Sequence, residues 1–365
     1  MDLTLGEEQT LLVETARGVL AERCSAVDVR RVAETALGFD RETWHEIGAL
    51  GWLGIETPEA LGGAAQGFVE LVLLAEELGR ALLPSPFVPG IAMALDLIQA
   101  LADEAQREEW IPPLIGGEVV PTLALCEPGW RDPFGAPALE ARTSGAGVSL
   151  SGTKSFVPFA AAADVLIVSV AGPGVVRVEG DAPGVTYRRQ GTGVGDPVYE
   201  VAFDAAPGVL LCRGPAAAAA LAGALDRGSL ASLAYATGAA ERALELSVEH
   251  ANTREQFGRV IGSFQAVAHR CVDMRSDIDA CRVLVHQAAW SLAAYGRAPL
   301  EVGAARAFGL EALRQVARHA HQVHGAIGFS TEHDLHLYTR CLKATELQWG
   351  TATRARDEVA RSMGL

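Results

Sequence analysis

Arg254, Phe257, Gly258 and Gly262 fall within one short stretch, ANTREQFGRVIGSFQ at residues 251 to 265. A planar guanidinium can grip a diphosphate through two parallel, charge-assisted hydrogen bonds, and an aromatic ring beside it can pack on a sugar or heterocycle. Backbone donors around the two glycines would add to such a grip. These groups suit a phosphorylated cofactor. Taken alone, a TRxxFG string also describes an exposed turn whose arginine is merely solvated.

The stretch interrupts two apolar patterns of helical period. Leu230, Leu233, Ala234, Ala240, Leu244 and Val248 precede it; Val267, Cys271, Met274, Ile278, Cys281 and Leu284 follow. It therefore reads as a turn joining two core helices, with glycines as breakers and Ser263 opening the second helix. A first helix is expected after Thr4 and Glu7, which have capping-box spacing. Further helices are expected from Asp40 to about Leu50, over 68 to 82 and over 90 to 110, with prolines at 84, 86 and 89 breaking the run between the last two.

Short apolar runs between glycine and proline clusters take over near residue 118. Strands are expected at 147 to 151, 164 to 170, 175 to 179 and 208 to 212. The glycine groups Gly172 to Gly174 and Gly191 to Gly195 open no convincing helix, so they read as turns, not as a dinucleotide loop. After the alanines at 216 to 220, helices are expected at 222 to 252, 263 to 296, 299 to 323 and 335 to 362. Three domains follow: helical over 1 to 117, β over 118 to 214, and a helical bundle over 215 to 365.

A chain of 365 residues, 49% of them hydrophobic, can bury a sizeable core. Its formal charge of −15 disfavours nucleic acid and anionic membranes, and no apolar run is long enough to span a bilayer. The six cysteines show no CxxC pairing, which points to reduced thiols, and MDLTLGEEQ lacks the order of a signal peptide; a cytoplasmic location is expected. Of His319, His321 and His324, only the last two lie near one helix face, which argues against a metal site.

Residues 251 to 265 resemble the acyl-CoA dehydrogenase family. So does QVHGAIGF at 322 to 329, which is similar to the family's QxxGGxGF segment, and GWLG at 51 to 54 ahead of PEALGG at 58 to 63. The resemblance runs over nearly the whole chain and implies a helical domain, a β-barrel-like middle domain and a C-terminal four-helix bundle. It implies FAD as cofactor, with Arg254, Phe257, Gln322 and Gly325 contacting the ADP half of a flavin held mainly by a neighbouring subunit. Ala326 departs from the usual second glycine.

The same resemblance implies a glutamate that takes the α-proton of an acyl-CoA thioester, at one of two positions. In this chain those positions carry Trp349 and Gly228, the latter followed by Ser229. Neither an indole nor a glycine accepts a proton. Glu346 is the nearest carboxylate in sequence to Trp349. The segments that hold the flavin ring are altered too: CEPGWRD at 126 to 132 stands for TEPxxGSD, and Phe156-Val157-Pro158 for WIT. Keeping the ADP end while losing the ring end and the base resembles the base-lacking subunit of heteromeric, sterol-degradation acyl-CoA dehydrogenases. That implies a heterodimer or heterotetramer with a catalytic subunit, an acyl-CoA substrate and electron-transfer flavoprotein as electron acceptor. A self-sufficient enzyme using Glu346 and a flavin-free scaffold are the alternatives.

Overall fold

The structure is a computed structural model that describes residues 4–130, 133–144, 147–192 and 196–365. Its helices and strands run in the order α1 (Glu7–Arg23), α2 (Ala26–Ala33), α3 (Arg41–Ala49), α4 (Phe68–Ala81), α5 (Asp96–Leu101), α6 (Glu104–Ile115), then β1 (Pro121–Ala124), β2 (Glu140–Ser144), β3 (Gly147–Pro158), β4 (Val165–Val170), β5 (Gly174–Glu179), β6 (Val185–Gln190) and β7 (Val198–Arg213). The long helix α7 (Pro215–Thr253), the two-residue strands β8 (Glu255–Gln256) and β9 (Arg259–Val260), and α8 (Gln265–Tyr295), α9 (Pro299–His324), α10 (Leu335–Gln348) and α11 (Ala352–Ser362) complete the chain. Helical domain, central β-sheet domain and C-terminal helical domain follow one another as expected. The chain packs as two compact units, one of residues 1–29, 68–83 and 229–365, the other of residues 30–67 and 84–228.

In the second unit, seven strands form one sheet in the order β1-β4-β5-β7-β3-β2, with β6 also paired to β7. β1 and β4 are parallel and the other pairings are antiparallel. The six residues of β4, VLIVSV, are all buried, which is why this strand shows an apolar run interrupted by Ser169 and no polar alternation. β3 carries bulges after Leu150 and after Lys154. Leu150, Val157, Leu166, Val176 and Val201 share one core. The Gly193 and Gly195 turn, and Arg131 and Asp132 of the CEPGWRD segment, lie outside the described residues.

A π-helical segment, Phe87–Leu95, runs directly into α5. The apolar stretch expected as one helix over 90 to 110 is thus three pieces, because Pro89 and Gly90 disturb its start and Asp103 begins a new capping box with Gln106.

In the first unit, α4 crosses α7 at two glycines. A β-carbon on Gly79 would stand 2.6 Å from Tyr235 Cα, and one on Gly238 would stand 2.7 Å from Arg80 N. Only hydrogen fits at either point. The crossing is flanked by ion pairs: Arg282 of α8 joins Glu76 (2.7 Å) and Glu241 (3.0 Å), and Arg80 joins Glu245 (2.6 Å). Two local expectations are corrected. The cap of α1 is not Thr4 with Glu7 but Gly6, whose N–H donates to Gln9 Oε1 at 3.0 Å. The last helix is not continuous, because Gly350 adopts φ 79° and Thr351 caps a new helix by accepting from Arg354 N.

Candidate flavin-contacting site

The turn between α7 and α8 is a two-residue hairpin in which Gln256 pairs with Arg259. Phe257 (φ 54°) and Gly258 (φ 79°) fill its two corner positions, both left-handed, as the twist of such a hairpin demands. Glycine does this freely; a phenylalanine in that region is uncommon. The ring is 91% exposed and meets Phe264 edge-on at 6.1 Å, while Arg259 lies over Phe264 at 4.1 Å. Arg254 is exposed, its backbone tied to His250 O and Ile261 N, and among the described residues its guanidinium makes no ion pair or hydrogen bond. Cation and ring are presented outward by a fixed backbone.

Gln322 and Gly325 lie at the end of α9. Gln322 is exposed, and Gly325 takes φ 64° and ψ −140°, a region open essentially to glycine alone, while its N–H donates to His321 O to end the helix. Ala326, where a second glycine is usual, is exposed with an ordinary backbone, so its methyl group costs nothing locally. Arg254, Phe257, Gln322 and Gly325 are all exposed on the same unit, and the first two share one hairpin. A guanidinium without an internal partner, an exposed ring and an open glycine backbone fit the diphosphate and sugar of an ADP group.

Behind this turn lies a histidine cluster that spacing alone did not reveal. His324 is buried, its Nδ1 donates to Ala320 O at 2.9 Å, and its ring stacks on His250 at 4.8 Å and meets His333 edge-on at 4.9 Å. Burial pushes His324 down to about 4, and the neighbouring His250, His333 and His321 push in the same direction. The carbonyl fixes Nδ1–H as the donor and favours the charged form, but burial and the neighbouring histidines outweigh it and keep the ring neutral at pH 7. Among the described residues no three such groups are placed to hold a metal ion.

The expected base positions are both buried. Trp349 is 1% exposed, at the end of α10, and its carbonyl accepts from the buried Arg306, which also pairs with Glu358 at 2.7 Å. Glu346 forms an i,i+3 pair with Lys343 at 2.9 Å. Gly228 lies within α7. A β-carbon there would stand 2.7 Å from Met93 Cε and 2.8 Å from Met93 Cγ, and closer still to the sulfur.

On the β-domain, Glu127 and Lys154 form a buried pair at 2.8 Å; Lys154 Nζ also donates to Leu125 O and Ser169 Oγ, and Glu127 accepts from the N–H groups of Ala138 and Leu139. Burial lowers Lys154, partly countered by the Glu127 carboxylate. These two motif residues thus tie the 126–139 segment to β3. Phe156 stands on the bulge of β3 at φ 54°, half-exposed, its N–H donating to Gln190 Oε1 at 2.7 Å. Two residues on, the carbonyl of Pro158 accepts from Thr122 Oγ1 at 2.7 Å.

Residues 6–118 match the acyl-CoA dehydrogenase N-terminal domain family, and residues 218–364 match the acyl-CoA dehydrogenase C-terminal domain family. The chain belongs to the acyl-CoA dehydrogenase family. This is a family of FAD flavoproteins and CH–CH oxidoreductases. Among the relatives of this chain are Acyl-CoA dehydrogenase FadE27 of Mycobacterium tuberculosis, 30% identical over 100% of this chain and 99% of that protein, and Acyl-CoA dehydrogenase IpdE2 of the same organism, 30% identical over 92% and 91%. Among solved structures, the Tcur3481-Tcur3483 steroid ACAD is 33% identical with a TM-score of 0.89, covering 99% of this chain and 100% of that one. The ChsE4-ChsE5 complex from Mycobacterium tuberculosis is 29% identical with a TM-score of 0.90, covering 100% and 99%. No helix among the described residues of this acyl-CoA dehydrogenase is long and apolar enough to cross a membrane.

Proposed function

We propose that this chain is the subunit without a base in a heteromeric acyl-CoA dehydrogenase, contributing the ADP-binding half-site for an FAD whose ring is served by a catalytic partner subunit. The observation that carries this reading is the contrast between two sets of residues. Arg254 and Phe257 are exposed, and the Arg254 guanidinium has no ion-pair or hydrogen-bond partner among the described residues, whereas Trp349 and Gly228, where a base is expected, are buried and cannot accept a proton. The likeness to a steroid ACAD and to the ChsE4-ChsE5 complex supports the heteromeric part of the reading.

In this assignment Arg254 holds the diphosphate, Phe257 packs on the sugar or heterocycle next to it, and Gln322 and the backbone at Gly325 complete the contact. When bound, FAD accepts the β-hydrogen of the acyl thioester as hydride. The α-proton leaves to a carboxylate of the partner. Trp349 and Gly228 move no proton, and Glu346, paired with Lys343, is a helix-surface residue. Acyl-CoA is the substrate of the assembled complex, and electron-transfer flavoprotein is its electron acceptor by the chemistry common to the family.

The test is purification of the chain alone and together with a co-expressed homologue that carries a glutamate at one of the two base positions. Flavin per chain and thioester oxidation with an artificial acceptor are then measured. The lone chain should lose FAD and be inactive, and the pair should have both. One retained flavin per lone chain with ordinary turnover would overturn the proposal.

A further inference from the structure

Gly228 and Met93 meet where the second base position should open. Gly228 is buried in α7, and the volume its side chain would occupy is filled by the thioether of Met93, itself 3% exposed and part of the π-helical segment Phe87–Leu95. This segment is held in place from the residue before Gly228. Arg227 pairs with Glu56 and with Asp96 Oδ1 (3.2 Å), and its Nε donates to Ala92 O (3.3 Å), so one guanidinium binds the turn of helix on which Met93 sits. All of these groups belong to one compact unit. The loss of a carboxylate at 228 is therefore not a simple vacancy.

We infer that Met93 is the residue that closes the second base position: its side chain takes the volume into which a carboxylate at 228 would extend, and Arg227 keeps the segment carrying it against α7. The inference rests on the reading of this chain as the subunit without a base, and adds why a single substitution cannot reverse that role. A glutamate at 228 has to displace a packed thioether and bury a charge at once. Overpacking and an unpaired buried carboxylate both oppose it. Leucine at 93 conserves the obstruction, because its volume is close to that of methionine; alanine at 93 removes it.

The experiment is a set of melting curves on the full chain, alone and in the co-expressed complex, with Gly228→Ala and Gly228→Glu each made in the native, Met93→Leu and Met93→Ala backgrounds. In the native and Met93→Leu backgrounds, Gly228→Ala should lower the melting temperature by roughly 1–3 °C, because the thioether can shift in part and alanine favours the helix, and Gly228→Glu should lower it by more. In the Met93→Ala background most of the Gly228→Ala loss should vanish and the Gly228→Glu loss should shrink. Equal losses in all three backgrounds, or rescue by Met93→Leu as complete as by Met93→Ala, would overturn the inference. If a substitution at 228 abolishes expression in the native background, expression restored only with Met93→Ala supports the inference, and expression restored by neither overturns it. Oxidation of a thioester by the lone native chain would sink the functional reading but leave this coupling standing; additive melting effects would sink the coupling and leave the functional reading intact.

Discussion

Arg306 donates to the carbonyl of Trp349 at 3.0 Å, and both residues are almost wholly buried. The end of α10 is thus locked by a guanidinium that also pairs with Glu358 of α11. Trp349→Glu should place a carboxylate in this packed interior, costing about 3 kcal/mol or more, without conferring turnover on the lone chain. Urea unfolding and a thioester oxidation assay check both parts. Arg306→Met should lose about 1–3 kcal/mol through the stranded Trp349 carbonyl, since Glu358 keeps its pair with Arg354 at 3.1 Å.

Gly79 and Gly238 mark the closest approach of α4 to α7. Gly79→Ala and Gly238→Ala should each destabilise the chain by about 1–3 kcal/mol, because a methyl group there forces the helices apart. The signs oppose the gain that alanine ordinarily brings to a helix interior. Chemical denaturation of the single variants measures this directly.

Arg254 and Phe257 should behave in the opposite way. Both are exposed, so Arg254→Ala and Phe257→Ala should leave the melting temperature of the lone chain almost unchanged. In the co-expressed complex, Arg254→Ala should weaken flavin retention by roughly 10-fold to 100-fold, the cost of about 1.5–3 kcal/mol for charge-assisted hydrogen bonds. Flavin absorbance after gel filtration reads this loss. Unchanged flavin content in both variants would remove these residues from the cofactor site.

His324 should make stability depend on pH in a definite direction. Burial first, and then its histidine neighbours, hold it near 4 in the folded chain, against about 6.5 when unfolded. The unfolded chain therefore takes up a proton that the folded chain refuses, so stability is complete above about pH 6.5 and falls as the pH drops toward 4. His250 and His321, also lowered by burial, act in the same sense. His324→Phe should flatten this slope in urea titrations between pH 7.5 and pH 4.5.

Helices with one apolar period were legible from sequence because the pattern that buries them is local. α4 and α9 lie within a residue or two of their expected ends. The two segments that carry Arg254 and Gln322 were legible for another reason, a chain of residue types whose chemistry is unusual in a turn. What escaped was non-local. Gly228 reads as an ordinary helix glycine until Met93, far away in sequence, is seen against it, and Gly79 acquires its meaning only when a second helix crosses it. Likewise, Glu127 reads from the sequence as part of an altered ring segment, whereas its burial and its bond to Lys154 make the two a brace between that segment and β3. Gly350 falls inside the helix expected over 335 to 362, where the helical pattern on either side concealed the break between α10 and α11.

The hairpin corner at Phe257 has a consequence for the unbound chain. A backbone shape that disfavours a large side chain holds the ring in water whether or not a ligand is present, so the cost of ordering this contact falls on folding and not on binding.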